Sequence, residues 1–299
     1  MNATVSSARI AADRFADAFR TASPTALASC FTPAGVLVHP LFGRVEGRDA
    51  IAAAEATLFG VFDEIAIEIV HVVDGGDWAA VSSVITARQC ADLPLPDGTV
   101  LANLRTRVEI PACEIIHVAP DGSIIEAHRY HDTAAMFAAL AAGHDLARPA
   151  KHPAATVTEP AGTAPDAAAL VALVKHAFEH GQAALAEQYA LDGVLVHPIA
   201  GTLVGRDQIG QAEGMLAACF ADIEFHVERV IQDGWWGAAE ITVSATHSAP
   251  LPLPTGTLPA TGRRVTDHIV QVFRLAPDGR IAYAERTFDT GHLINQLTN

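Results

Sequence analysis

One six-residue string occurs twice in this chain, and that repetition constrains the fold more than any other feature. Gly35-Val-Leu-Val-His-Pro40 returns letter for letter as Gly193-Val-Leu-Val-His-Pro198, an offset of 158 from His39 to His197. The same offset carries Gly47-Arg48-Asp49 onto Gly205-Arg206-Asp207, Trp78 onto Trp236, and Leu93-Pro-Leu-Pro96 onto Leu251-Pro-Leu-Pro254. After a one-residue slip, Ala119-Pro-Asp-Gly122 falls on Ala276-Pro-Asp-Gly279, and Asp132-Thr133 on Asp289-Thr290. A period this long lies far beyond the 20 to 50 residues of solenoid repeats, so each copy is a whole domain. The expected division is a first domain over 1–142, a Pro/Ala-rich linker over 143–165, and a second domain over 166–299.

Each copy predicts the same order of elements. Ser7 to Arg20 reads as a helix, followed by a short one capped by Ser23 with Pro24 at its first position. In the second copy Asp166 caps a helix and Gly181 separates it from the next. A strand follows (Val36–His39, Val194–His197), then a helix opening at Asp49 or Asp207. Ile51, Glu55, Leu58, Phe59 and Phe62 fall at near-helical spacing in the first copy, as do Ile209, Leu216 and Phe220 in the second. The rest is strand-like: Ile65–Val73 with Trp78–Arg88, Ile223–Ile231 with Trp235–Thr246, and later hairpins turning at Asp121-Gly122 and Asp278-Gly279. Helices first and a meandering sheet afterwards predict an α+β fold, with the helices on one sheet face.

Composition excludes several functions. The formal net charge is -15, lysines occur only at 151 and 175, and no basic cluster is present to neutralise phosphates, so nucleic acid is not an expected partner. No apolar run reaches the roughly 20 residues of a spanning helix, and Arg9, Asp13, Arg14 and Asp17 interrupt any signal-peptide core. Cys30, Cys90, Cys113 and Cys219 are widely spaced, which predicts reduced thiols and a cytoplasmic setting. His176 and His180 are four apart but lack the zincin arrangement, so no metal site is expected. Dinucleotide, phosphate-loop and nucleophile-elbow motifs are absent, and no cofactor is expected.

The ends of the copies add a resemblance. The first reads Asp121-Gly-Ser-Ile-Ile-Glu-Ala-His-Arg-Tyr-His-Asp132. The second carries Thr261-Gly-Arg-Arg-Val265, then Asp278-Gly-Arg-Ile-Ala-Tyr-Ala-Glu-Arg-Thr-Phe-Asp289. This pattern resembles the SnoaL-like polyketide cyclases of the nuclear-transport-factor-2-like superfamily, once per copy. The resemblance implies a curved antiparallel sheet wrapped around a helix as a cone, enclosing an apolar pocket for a small hydrophobic molecule. It also implies that the two copies pair sheet against sheet as an intramolecular pseudo-dimer, with a further homodimer possible.

In the cyclase-like enzymes a carboxylate at the end of the last strand moves the proton, which makes Asp132 and Asp289 the candidate acid/base groups. The alternative is that each caps the final helix. Strand alternation puts His128 and Tyr130 on the face of Asp132, and Glu285 and Thr287 on that of Asp289. The first copy then holds the richer acid/base set, and the expectation is that it carries the chemistry. His39 and His197 either line the pocket or are hydrogen-bonded locally at a strand end. Trp78 and Trp236 either stack on a ligand or pack on the hairpin. An epoxide-hydrolase relative uses Asp-Arg-Asp, but Cys90 stands where the second carboxylate belongs, and Val243-Ser-Ala-Thr-His-Ser248 lacks the Arg as well. Three functions remain open: a cofactor-independent cyclase or isomerase acting on an apolar carbonyl compound, a non-catalytic binder of such a molecule, and an interaction module.

Overall fold

The computed structural model describes residues 6–95, 98–145, 160–179, 182–253 and 256–299. Most of the expected linker, together with Pro96, His180, Gly181 and Pro254, lies outside them. The chain separates into two compact units, Met1–Pro149 and Ala150–Asn299.

The first unit runs α1 (Ser7–Arg20), α2 (Pro24–Ser29), β1 (Phe31–His39), β2 (Gly43–Glu46), α3 (Arg48–Phe59), β3 (Phe62–Asp74), β4 (Trp78–Gln89), β5 (Leu93–Pro94), β6 (Val100–Leu101), β7 (Arg107–Val118), β8 (Ile124–Tyr130) and α4 (Thr133–Ala142). The second repeats it: α5 (Ala167–Glu179), α6 (Gln182–Glu187), β9 (Tyr189–His197), β10 (Gly201–Val204), α7 (Arg206–Ala217), β11 (Phe220–Asp233), β12 (Trp236–His247), β13 (Leu251–Leu253), β14 (Gly256–Leu258), β15 (Arg264–Leu275), β16 (Ile281–Thr287) and α8 (Thr290–Thr298). Strand order is β2-β1-β8-β7-β4-β3 in one sheet and β10-β9-β16-β15-β12-β11 in the other, so the duplication extends to topology.

Local chemistry explains the helices. The Ser6 hydroxyl accepts from the Arg9 N–H and opens α1, whose Ala8, Ala11, Ala12, Phe15 and Phe19 form one buried stripe. Ser23 caps α2 and Pro24 takes its first turn, where no N–H is needed. The Gly-Arg-Asp string has a structural role in both copies. Gly47 and Gly205 adopt φ of 86° and 90° at the turn into α3 and α7, a region that favours glycine. The next residue then ties that helix to the preceding strand: Arg48 Nε donates to the Phe31 carbonyl at 2.7 Å, and Arg206 Nε to that of Tyr189 at 2.8 Å.

The sheets depart from the expected all-antiparallel pattern at one place each, because β1 runs parallel to β8 and β9 parallel to β16. Curvature comes from paired irregularities. The register of β3 on β4 shifts between Asp63 and Ala66, and that of β11 on β12 between Ala221 and Glu224. Glu64 and Asp222 occupy these equivalent places with φ of 51°, so a bulge bends the same strand in each copy. α1, α2 and α3 cover one sheet face of the first unit through Phe15, Phe19, Leu27 and Ile51, against Ile67, Ile116 and Ala127. Leu170, Leu185 and Ile209 do the same in the second unit, against Ile241, Phe273 and Ala284.

Candidate functional site

Each unit encloses a cavity between its helices and the covered sheet face. The first has a volume of about 60 Å³ and the second about 290 Å³. Only the second approaches the roughly 300–1,000 Å³ typical of small-molecule sites. The difference has an identifiable source in sequence. Phe59, at the end of α3, lines the small cavity and packs edge-on against Phe19 at 5.6 Å between ring centres. The equivalent residue at the end of α7 is Ala217, which lines the large one. On size alone the first copy, expected to carry the chemistry, has the smaller cavity, with Phe19, Phe59 and Phe62 in its lining.

The polar groups of both cavities sit on equivalent positions. In the first unit Arg129 of β8 is 5% exposed, and its Nη1 lies 2.9 Å from Glu55 Oε1 while Nε lies 3.1 Å from Glu114 Oε1. Its guanidinium also stands over the Phe15 and Phe19 rings, 5.5 and 5.4 Å from their centres. Burial opposes the Arg129 charge, but Glu55 and Glu114 outweigh it and hold the guanidinium protonated. Burial pushes the Glu114 carboxyl up, with Arg129 pulling the other way and Glu55 adding to the rise. In the second unit Arg286 lies 2.7 Å from Glu213 and donates to Gln271 Oε1 at 2.9 and 3.1 Å. Gln271 stands where the first copy has Glu114, so this core is electrically balanced.

The two repeated histidines line the cavities. His39 Nδ1 accepts from the Leu41 N–H at 3.0 Å, and His197 Nδ1 accepts from those of Ile199 and Ala200 at 3.1 and 3.2 Å. The local role and the pocket role coincide, because the backbone takes Nδ1 and leaves Nε2 carrying the ring proton. Burial, then the charge of Arg286, lowers His197 to about 3, so its ring is neutral at physiological pH. His39 is held well below its ordinary value by burial and then by Arg129 and His131.

The two cavities differ at two further polar positions. Asp267 of β15 is 8% exposed and lines the large cavity, where the first copy presents Ile110. His131 lines the small cavity, where the second copy presents Phe288. The large cavity thus combines an apolar wall with a carboxylate (Asp267), a neutral imidazole (His197) and an internally paired Arg286–Glu213.

The other candidates from sequence lie elsewhere. Asp132 Oδ1 accepts from the Ala134 and Ala135 N–H groups at 3.1 and 3.4 Å, and Asp289 Oδ1 from that of Gly291 at 2.9 Å. The capping geometry is present in both copies, and neither carboxylate is among the lining residues of these two cavities. Alternation groups His128, Tyr130 and Asp132, but the residues of this segment that line the cavity are Arg129 and His131. Nε2 of His128 instead lies 3.3 Å from Glu126. In the second copy the Tyr283 hydroxyl donates to Glu285. Trp78 stacks on His117 at 4.6 Å and 8°, at the opposite end of β4 from the cavity residues Ile85 and Ala87. Seven residues of strand separate Trp78 from Ile85, roughly 23 Å, which is too far for ligand stacking. Trp236 begins β12 in the same way, paired with Arg274. Among the described residues no group of three or more His, Cys, Asp or Glu side chains could hold a metal, and no helix is long and apolar enough to cross a membrane.

Arg129, Glu55, Arg286, Glu213 and Asp267 were not singled out from sequence as site residues. A usable signal existed for four of them: Glu55 interrupts an otherwise apolar helical stripe, and both it and Arg129 recur at the duplication offset as Glu213 and Arg286.

A helix-covered, bulge-bent sheet enclosing an apolar cavity defines a class of small-molecule pocket proteins. The SnoaL-like domain model matches residues 12–127 and again 176–284, and the chain belongs to that family, with two tandem copies. No curated protein is significantly similar to it. Solved structures similar to single copies include TsrD from Streptomyces laurentii, at 21% identity over 45% of this chain and 98% of that one, with a TM-score of 0.39. IdmH from Streptomyces antibioticus, described as a proposed polyketide cyclase, shares 22% over 44% of this chain and 96% of its own, with a TM-score of 0.36. A LEH-like epoxide hydrolase from M. tuberculosis shares 17% over 44% and 92%, with a TM-score of 0.34.

Proposed function

We propose that the second domain binds a small, largely hydrophobic carbonyl compound and moves a proton on it by general acid/base catalysis, without a cofactor. The observation that carries this reading is the cavity of about 290 Å³ whose lining holds Asp267 and His197 beside the paired Arg286 and Glu213. In this reading Asp267, in the cavity lining, takes a proton from the carbon beside the carbonyl. The Nε2–H of His197, its tautomer fixed by the backbone, donates to the carbonyl oxygen as enolate charge develops. A neutral imidazole suits that task, since it donates without binding the ground state as a strong cation. The cavity described in the first domain is smaller, about 60 Å³, and Ile110 stands there at the position of Asp267.

Asp267→Asn separates catalysis from binding because it keeps the shape and removes the base. In D2O, exchange of the protons adjacent to the carbonyl of 2-tetralone, followed by NMR, is expected to be faster with the wild-type protein than in buffer. The variant should lose about 10²–10⁴-fold of the catalysed rate while its affinity for 2-tetralone changes less than about tenfold. Saturable binding with no catalysed exchange in the wild type would assign the domain to the non-catalytic binders.

A further inference from the structure

The small cavity of the first domain is not simply a collapsed copy of the large one. It carries polar atoms that nothing among the described residues satisfies. His39 Nε2 and His131 Nδ1 are both buried without a hydrogen-bond partner among the described residues. Their rings face each other edge-on, 5.8 Å between centres, and both line the cavity. Glu55 Oε2 and Arg129 Nη2, on two further lining residues, are also without partners among the described residues. Leaving such groups dry and unpaired costs about 1–3 kcal/mol each, so something occupies this space.

Water alone fits poorly. A buried water needs two to four polar partners, and about 60 Å³ has room for roughly two waters. His39, Glu55, Arg129 and His131 are the polar side chains of its lining, while Phe59, Phe62, Ile85, Val108 and Ile110 offer a water no partner.

We infer that the first domain's cavity is a separate binding site for a neutral molecule of about two to four non-hydrogen atoms, with one carbonyl or hydroxyl head and a short apolar tail. His39 Nε2–H donates to the head, and His131 Nδ1 lies beside it to accept from an N–H or O–H of the same head. The charge follows from the surroundings. Arg129 is already compensated by two carboxylates, so an anion finds no free cation, while a cation would sit beside the guanidinium. Phe59 sets the upper size limit.

Acetamide, acetate and ethylammonium, three probes of similar size and different charge, test this in the full chain labelled with ¹⁵N-histidine. Acetamide is expected to shift the ring nitrogens of His39 and His131 saturably, while acetate and ethylammonium leave them unchanged. His131→Phe, which installs the second domain's residue, should weaken acetamide binding at least tenfold. His131→Asn serves the same purpose if the Phe variant does not fold. Phe59→Ala should admit benzamide, which the wild-type first domain excludes. An acetamide titration without saturable shifts, leaving ordered water only, would overturn the inference. So would equal shifts from acetate or ethylammonium, binding that survives loss of His131, or benzamide entering the wild-type cavity.

Discussion

Replacing Arg129 by Met is expected to destabilise the first domain by about 3–5 kcal/mol, a large share of the 5–15 kcal/mol that holds an ordinary domain together. Methionine keeps an unbranched apolar chain beneath the place of the guanidinium, so the loss is chiefly electrostatic. Glu55 and Glu114, 1% and 2% exposed, are left as buried carboxylates without their cation. For a unit of this size the melting temperature should fall by roughly 10 °C or more. Unpaired buried carboxylates hold their protons in the folded state more tightly than in the unfolded one, so acidification favours the folded variant. The deficit should accordingly shrink as pH is lowered from 7 toward 5. Denaturant titration across that range checks both statements, and a deficit below about 1 kcal/mol at pH 7 would contradict them. Glu114→Gln is the contrasting case, since the second copy already uses Gln271 there. The Glu114 carboxyl is raised from its ordinary value near 4.5, so its contribution is fully present below that pH and is lost as pH rises through the folded value. The Gln variant should lie within about 1 kcal/mol of wild type at pH 7 and show a flatter pH dependence above 4.5.

Ala217→Phe should close the large cavity and lower affinity for 2-tetralone at least ~100-fold, a loss of about 2.7 kcal/mol of binding free energy. The first copy already accommodates Phe59 at the same place at the end of the same helix, so the ring has a precedent within the same fold. Filling an existing cavity differs from overpacking a full core, and the melting temperature should move by only a few degrees. Titration calorimetry on the variant and wild type decides it. Undiminished affinity with an intact melt would show that the ligand sits outside this cavity.

The duplication and the α+β order were legible because identical strings at one offset need no structural knowledge. Cap residues were legible for a similar reason: Ser23, Asp132 and Asp289 act on neighbours two or three residues away. The inner face of β8 was not. Alternation grouped His128, Tyr130 and Asp132, but hydropathy could not say which face was inward, because Arg129 and His131 line the cavity. The buried charge is compensated by Glu55 and Glu114, which come from elements 74 and 15 residues away in sequence, and a local pattern does not register partners at that distance. The parallel pairing of β1 with β8 escaped for the same reason. The exchange of Phe59 for Ala217 could be read from the offset, yet its consequence for cavity volume appears only when α3 and α7 are seen to end over the sheet. The repeated histidines were half legible: the string marked them, while the Nδ1 bond that fixes their tautomer depends on the turn that follows.

The central claim is that, among the described residues, the cavity of ligand size that binds the carbonyl compound is the one in the second domain. Its most direct test is the stoichiometry and position of 2-tetralone bound to the intact protein, counted by calorimetry and located in a crystal structure of the complex. The account predicts one molecule per chain, seated against Ala217, His197 and Asp267. Two molecules per chain, or a single one seated in the first domain beside His39 and Phe59, would contradict it.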